Sequence, residues 1–233
     1  MDLTRLENVK ERMEQAANRA GRDVEDVKLI PVSKYHSIDK IKELMEIGIY
    51  TFGESRAQEL RDKQEILSEE INWHFIGHLQ RNKVKYIIRM PNCEYIHSLD
   101  SMRLAKKIQH RCELEETEIK VLVQVNVAND DDKFGILARN ALEYIEKVAK
   151  KFDRIKIKGL MTILPHFDDP EDCRPYFRKL KELSQQIGEA NIPGVEMKEL
   201  SMGMTNDFEV AIEEGATMIR VGSGIFGPRN YDK

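Results

Sequence analysis

No stretch of the 233-residue chain is apolar over membrane length. The amino terminus, Met1-Asp2-Leu3-Thr4-Arg5, carries charge where a secretion signal needs an apolar core. Cysteine is scarce. Cys93, Cys112 and Cys173 are far apart and odd in number, which speaks against a disulfide framework or a zinc site and fits thiols kept reduced in a cytoplasm. Neither sign of charge dominates: 37 basic residues stand against 41 acidic, a formal net of −4. Nothing therefore marks a nucleic-acid or membrane-surface binder. Low-complexity tracts, linkers and internal repeats are also missing at the residue level. What is left is a cytoplasmic protein able to bury a full core, expected as one domain over residues 1–233.

Apolar residues at helical spacing, Leu3, Leu6, Val9, Met13 and Ala17, open the chain with a helix that ends near Gly21. Strand-like runs then recur at 27–34, 49–54, 73–77, 95–99, 119–127, 155–162, 197–201 and 218–221. Helical stripes alternate with them. Ile38, Ile41, Leu44 and Met45 follow a Ser37 cap and are closed by Gly48. Later stripes are Gln58, Leu60 and Ile66, then 82–88, then Leu104, Ala105, Ile108 and Cys112, then a helix from near Leu137 carrying Ile145 and Val148. Phe177, Leu180, Leu183 and Ile187 form another, and 208–214 the last. The helix of Phe177 has a well-marked start: Asp169 as cap, Pro170 at the first helical position, and Glu171 and Asp172 in the first turn. Strict alternation implies a parallel sheet. Eight units in about 200 residues match a (β/α)8 TIM-type barrel at the short end of its size range, with an extra amino-terminal helix. A doubly wound sheet is the other reading, and it usually has fewer units.

In both folds chemistry collects at the carboxyl ends of strands. The first strand delivers Lys34 to that end. Two glycine-containing turns follow late strands: Leu200-Ser201-Met202-Gly203-Met204-Thr205 and Arg220-Val221-Gly222-Ser223-Gly224-Ile225-Phe226-Gly227. Barrels often bind phosphate after strands seven and eight, where glycines admit the phosphate to the backbone and hydroxyls add donors. Neither turn is a nucleotide fingerprint. A lysine opposite a phosphate cradle suits a phosphorylated aldehyde held as a Schiff base, and pyridoxal 5′-phosphate (PLP) has that shape. Arg220, two residues before Gly222, would donate to an unprotonated ring nitrogen and leave the ring a weak electron sink.

The motifs Val32-Ser33-Lys34, Phe52-Gly53-Glu54, Trp73-His74-Phe75-Ile76-Gly77, Gln124-Val125-Asn126, Lys133-Phe134-Gly135-Ile136, Gly159-Leu160-Met161, Leu200-Ser201-Met202-Gly203-Met204 and Ile219-Arg220-Val221-Gly222 occur in that order from end to end. Over essentially the whole chain, this series resembles the pyridoxal phosphate homeostasis protein family, a barrel similar to the amino-terminal domain of alanine racemase. The resemblance implies PLP binding, a role in vitamin B6 homeostasis and no strong turnover. It makes Lys34 the Schiff-base lysine and Arg220 the ring-nitrogen partner, with Ser201, Gly222 and Ser223 holding the phosphate and Met202 and Gly203 beside them. Ser55 stands where the family usually has Asn, which puts that side chain's contact to the cofactor in doubt, and Ser223 stands where Thr is common.

His74 is kept as a cofactor-side candidate, beside the reading of a hydrogen-bonded structural histidine. Lys133, within Asp130-Asp131-Asp132-Lys133, could reach the mouth, but the acidic triplet lacks calcium-loop spacing and no metal is expected. No catalytic residue is assigned. Alanine racemases add a β-domain from a partner subunit, whereas here only Pro228 to Lys233 follow the barrel. The cofactor is therefore expected at an open mouth of a monomer, reachable by PLP-dependent apoenzymes. The alternatives are a minimal PLP-dependent amino-acid racemase using Lys34 with Tyr35 or His74, and a class I aldolase-like enzyme.

Overall fold

The computed structural model describes residues 3–67 and 70–228. The readings placed on Met1, Asp2 and residues 229–233 lie outside the described residues. The chain opens with α1 (Thr4–Arg19), β1 (Lys28–Pro31), α2 (Ile38–Met45), β2 (Thr51–Glu54), α3 (Ala57–Gln64) and β3 (Asn72–Phe75). It continues through α4 (Val84–Ile88), β4 (Cys93–Leu99), α5 (Met102–Leu114), β5 (Ile119–Asn126), β6 (Ile136–Leu137) and α6 (Ala141–Lys151). It ends with β7 (Ile155–Met161), α7 (Arg174–Glu189), β8 (Val195–Ser201), α8 (Phe208–Glu213), β9 (Met218–Val221) and α9 (Ser223–Phe226).

The strands pair in parallel in the order β1-β9-β8-β7-β5-β4-β3-β2, with β6 pairing only β5. The two ends of that series meet. Val32 bridges Gly53, and the Ser33 amide donates to the Gly53 carbonyl at 3.0 Å. The result is a nearly closed (β/α)8 barrel, as the alternation of strands and helices implies. The extra helix α1 packs on α8 and α9. With α9 only four residues long, α1 covers a part of the sheet that the last βα unit is too short to cover itself.

Strand periodicity sorts the side chains. On β9, Ile219 and Val221 join the core between sheet and helices, while Met218 belongs to a small interior cluster with Ile30, Tyr95, Leu122 and Met161. Arg220 shares the inward face of Met218. The same alternation turns His74 inward between Trp73 and Phe75, His97 inward between Ile96 and Ser98, and Ser201 inward after Leu200. The barrel interior therefore carries a small apolar cluster beside a run of polar side chains.

Element ends depart from the sequence reading where a 3-10 turn intervenes. Asp169 does cap, accepting from the Glu171 amide at 2.9 Å, but Pro170–Cys173 is a 3-10 turn and α7 begins only at Arg174. A 3-10 turn at Ala138–Asn140 likewise moves the start of α6 to Ala141. Ser37 occupies the cap position of α2 without a side-chain capping bond. The helix drawn through Ile66 stops at Gln64; Ile66 is 63% exposed and Leu67 takes the buried place. Gly21 and Gly48 do end α1 and α2, at φ +63° and +85°. Each lets the next residue's amide reach back, Arg22 to the Ala17 carbonyl and Ile49 to the Leu44 carbonyl. Among the described residues no helix is long and apolar enough to cross a membrane.

Candidate functional site

A cavity of about 480 Å3 opens at the carboxyl ends of the strands. Lys34 lines it from beyond β1, Ser55 from beyond β2, and Ile76 and Gly77 from beyond β3. Lys133 comes from the loop after β5, residues 163–167 from beyond β7, residues 204–207 from beyond β8, and Arg220, Gly222 and Ser223 from β9 and its loop.

Lys34 follows β1 by three residues, in a turn whose next residue, Tyr35, has φ +65°. That left-handed conformation is costly for a bulky side chain, so the surroundings must hold it. Both peptide groups flanking Lys34 are anchored. The buried ammonium of Lys63 donates to the Ser33 carbonyl at 2.7 Å, to Glu54 Oε2 at 2.8 Å and to Glu59 Oε1 at 2.8 Å. Glu59 Oε1 also accepts from the Tyr35 amide at 2.7 Å. Glu54, fully buried, accepts from the Ser33 hydroxyl and from the Ser55 amide. Burial pushes its carboxyl above the ordinary range, against the pull of Lys63.

Across the cavity, Arg220 is held by its side chain. Nη1 donates to Ser201 Oγ at 2.6 Å and Nη2 to the Thr162 carbonyl at 2.8 Å. Its backbone amide donates to the Gly203 carbonyl at 3.0 Å. Burial lowers the guanidinium to about 10, opposed by the charge of Asp207, so it stays a cation at neutral pH. Among the described residues no carboxylate bonds to it directly.

Of the residues singled out from sequence, Lys34, Ser55, Arg220, Gly222 and Ser223 are brought together around this cavity. Ser201, Met202, Gly203 and His74 are buried and are not among the residues lining it. The Ser201 hydroxyl contacts Arg220 and His97 Nδ1. Gly203 makes the turn at φ +88°, where an added Cβ would meet Ala211 Cβ at 2.6 Å. Met202 packs in the outer core. His74 Nδ1 lies 2.8 Å from His97 Nε2 inside the barrel. The two glycine turns do converge: Thr205 Oγ1 accepts from the Ser223 hydroxyl and from the Gly224 amide, both at 3.4 Å.

The sequence reading missed the wall at 163–167 and missed Asp207, whose Oδ1 accepts from the Met204 amide at 2.6 Å and fixes the turn after β8. It also missed Lys63, although Glu59 and Lys63 stand at i,i+4 spacing on one helix face. Lys133 does reach the mouth, on a loop whose exposed Phe134 stacks on His78 at 3.8 Å between ring centroids.

The donor set is a primary amine, a fixed guanidinium, and a loop pair with hydroxyls and a glycine backbone. It fits a flat phosphorylated aldehyde whose ring nitrogen needs a donor. Comparison with known proteins points the same way. The family model for the alanine racemase N-terminal domain matches residues 4–230. The chain is 44% identical to the pyridoxal phosphate homeostasis protein of Aquifex aeolicus over 228 residues, covering 97% of this chain and 98% of that protein. The chain belongs to the pyridoxal phosphate homeostasis protein family. Solved structures agree with this family placement. An unknown protein from Bifidobacterium adolescentis superposes with TM-score 0.89 at 33% identity, covering 96% of this chain and 93% of that one. PipY of Synechococcus elongatus, solved with PLP bound, superposes with TM-score 0.80 at 30% identity, covering 93% of this chain and all of the other.

Proposed function

We propose that this chain is a PLP-binding protein of intracellular vitamin B6 homeostasis that holds PLP as a Schiff base on Lys34 without strong turnover. The observation that carries the reading is the convergence of Lys34, Arg220, Gly222 and Ser223 on one cavity at the carboxyl face of the barrel. Arg220 would donate to the ring nitrogen, and Gly222 and Ser223 would hold the phosphate. The bound group supplies an electrophilic carbon; the protein's part is to aim the amine, fix the ring edge and keep a cation beside it. Family membership and the PLP-bound relative support the assignment.

Racemisation needs acid–base groups on both faces of the cofactor. The two residues considered for this, Tyr35 and His74, are not among those lining the cavity: Tyr35 is 51% exposed and His74 fully buried. Carriage of a reactive aldehyde suits the site better, with PLP-dependent apoenzymes as recipients in a cytoplasm where the three buried free thiols stay reduced.

The test is the visible absorption spectrum of the protein and of Lys34→Ala, each supplied with PLP. The expected result is a yellow band in the first that the variant lacks. Absence of that band from the unaltered protein in excess PLP overturns the cofactor assignment.

A further inference from the structure

Below Arg220 the interior of the barrel is polar. Arg220 Nη1 lies 2.6 Å from Ser201 Oγ, which lies 2.9 Å from His97 Nδ1; His97 Nε2 lies 2.8 Å from His74 Nδ1. His74 Nε2 faces Glu94 Oε2 at 3.5 Å. Ser201 ends β8 and Glu94 is second on β4, so the series runs from the carboxyl end of the barrel to its amino end. Ser201, His97 and His74 are completely buried.

The direction of every link follows from which groups can donate. A guanidinium has only donors, so Ser201 Oγ accepts from Arg220. Its hydroxyl proton then goes to His97 Nδ1, the acceptor at 2.9 Å among the described residues. A neutral His97 that accepts at Nδ1 carries its proton on Nε2 and donates to His74 Nδ1. His74 then carries its proton on Nε2, facing Glu94. Reasoning from the other end gives the same answer. The carboxylate of Glu94, 3.5 Å away, repels a lone pair and so favours hydrogen on the nitrogen facing it, which makes His74 Nδ1 the acceptor and His97 Nε2 the donor. Burial disfavours a charge on either ring, reinforced at His97 by His74 and Arg220 and opposed at His74 by Glu94.

We propose that Arg220, Ser201, His97, His74 and Glu94 form one directed chain in which both imidazoles are neutral and protonated on Nε2, making Ser201, His97 and His74 positioning residues for the cavity guanidinium. The chain supports Arg220 with a neutral acceptor in place of a carboxylate, so its positive charge is not neutralised by direct contact and stays available at the cavity. The Glu94 link, at 3.5 Å, is long, and His74 Nε2 makes no hydrogen bond. Glu94 thus biases the chain electrostatically, while the shorter links fix it.

The consequence for a bound ring rests on the PLP reading above, but the chain itself does not. The experiment reads the imidazole nitrogens of the PLP-free protein by proton–nitrogen NMR, which distinguishes the two neutral tautomers from each other and from the cation. His97→Gln and His74→Gln supply the resonance assignments. The expected spectrum has both rings neutral and in the Nε2–H form. A His97 proton on Nδ1, a mixture of tautomers, or a charged ring overturns the proposal, and this needs no variant beyond those for assignment. In Ser201→Ala the His97 tautomer should become mixed and PLP binding should weaken about tenfold, the loss of one hydrogen bond to a charged group. Ser201→Thr should restore both. Unchanged tautomers and unchanged PLP affinity in Ser201→Ala would also sink the idea. The expected tautomers in a protein that takes up no PLP would leave the chain standing and remove the cofactor reading. Mixed tautomers in a protein that turns yellow with PLP would do the reverse.

Discussion

The two sides of the cavity anchor their key residues through different visible contacts. Lys34 is fixed through its backbone: the Ser33 carbonyl and Tyr35 amide on either side of it are gripped by Lys63 and Glu59. Arg220 is fixed through its side chain, with Ser201 and Thr162 taking its guanidinium protons. The supports differ in charge as well. Beneath Lys34 lies an ionic cluster of Lys63, Glu54 and Glu59, and beneath Arg220 lies a neutral series of hydroxyl and imidazole groups. On the Schiff-base reading proposed above, anchoring the backbone on both sides of Lys34 gives its amine a fixed origin. A guanidinium that only donates needs a fixed end.

Breaking the ionic side should have the largest effect. Lys63→Met leaves Glu54 buried without its cation, and removal of one partner of a buried pair costs about 3–5 kcal/mol. Urea unfolding should show that loss, and the Lys34 turn should loosen with it, seen as faster exchange of the Tyr35 amide proton. A loss below about 1 kcal/mol, the range of surface pairs, would show that the cluster is not what holds the turn.

A smaller effect sharpens the claim that the backbone is what is held. Tyr35 sits at φ +65°, where a β-branched residue is disfavoured more strongly than most. Tyr35→Val should cost about 1–2 kcal/mol in the same assay, whereas Tyr35→Gly should stay within about 1 kcal/mol of the parent because glycine adopts this conformation freely. Equal effects of the two would mean that the Tyr35 ring, which lies under Arg56 at 5.2 Å, matters and the turn conformation does not.

How much of this was legible in the sequence follows from what each signal depends on. Period-two and period-3.6 patterning depend on burial, so the alternation of strands and helices and the barrel it implies could be read ahead. Lys34, Gly222 and Ser223 could be placed because strand ends and the loops after late strands have fixed positions in a barrel. Ser201 and His74 could not be placed in the same way. Each faces inward, but whether an inward polar residue near a strand end meets the cavity or a buried partner depends on neighbours from strands far off in sequence, such as Ser201 with His97. The 3-10 turns before α6 and α7 were hidden because they keep the apolar spacing of the helix that follows.

The neutral side can be probed from its far end. The carboxyl of Glu94 is held down to about 2, first by its contact with His74, against its burial, and then by Lys120 and Lys28. A glutamate whose folded value lies below its ordinary 4.5 favours the folded state while ionised. Its contribution is therefore fully present above about pH 4.5 and is lost as pH falls toward about 2. Glu94 is partly exposed, with 27% of its side chain accessible, so solvent screening keeps the effect to about 1 kcal/mol or less. Glu94→Gln should be less stable than the parent by that amount at pH 6, and the two urea midpoints should converge as pH is lowered toward 2.5. A gap that stays constant across that range would mean that the Glu94 charge does not stabilise the fold.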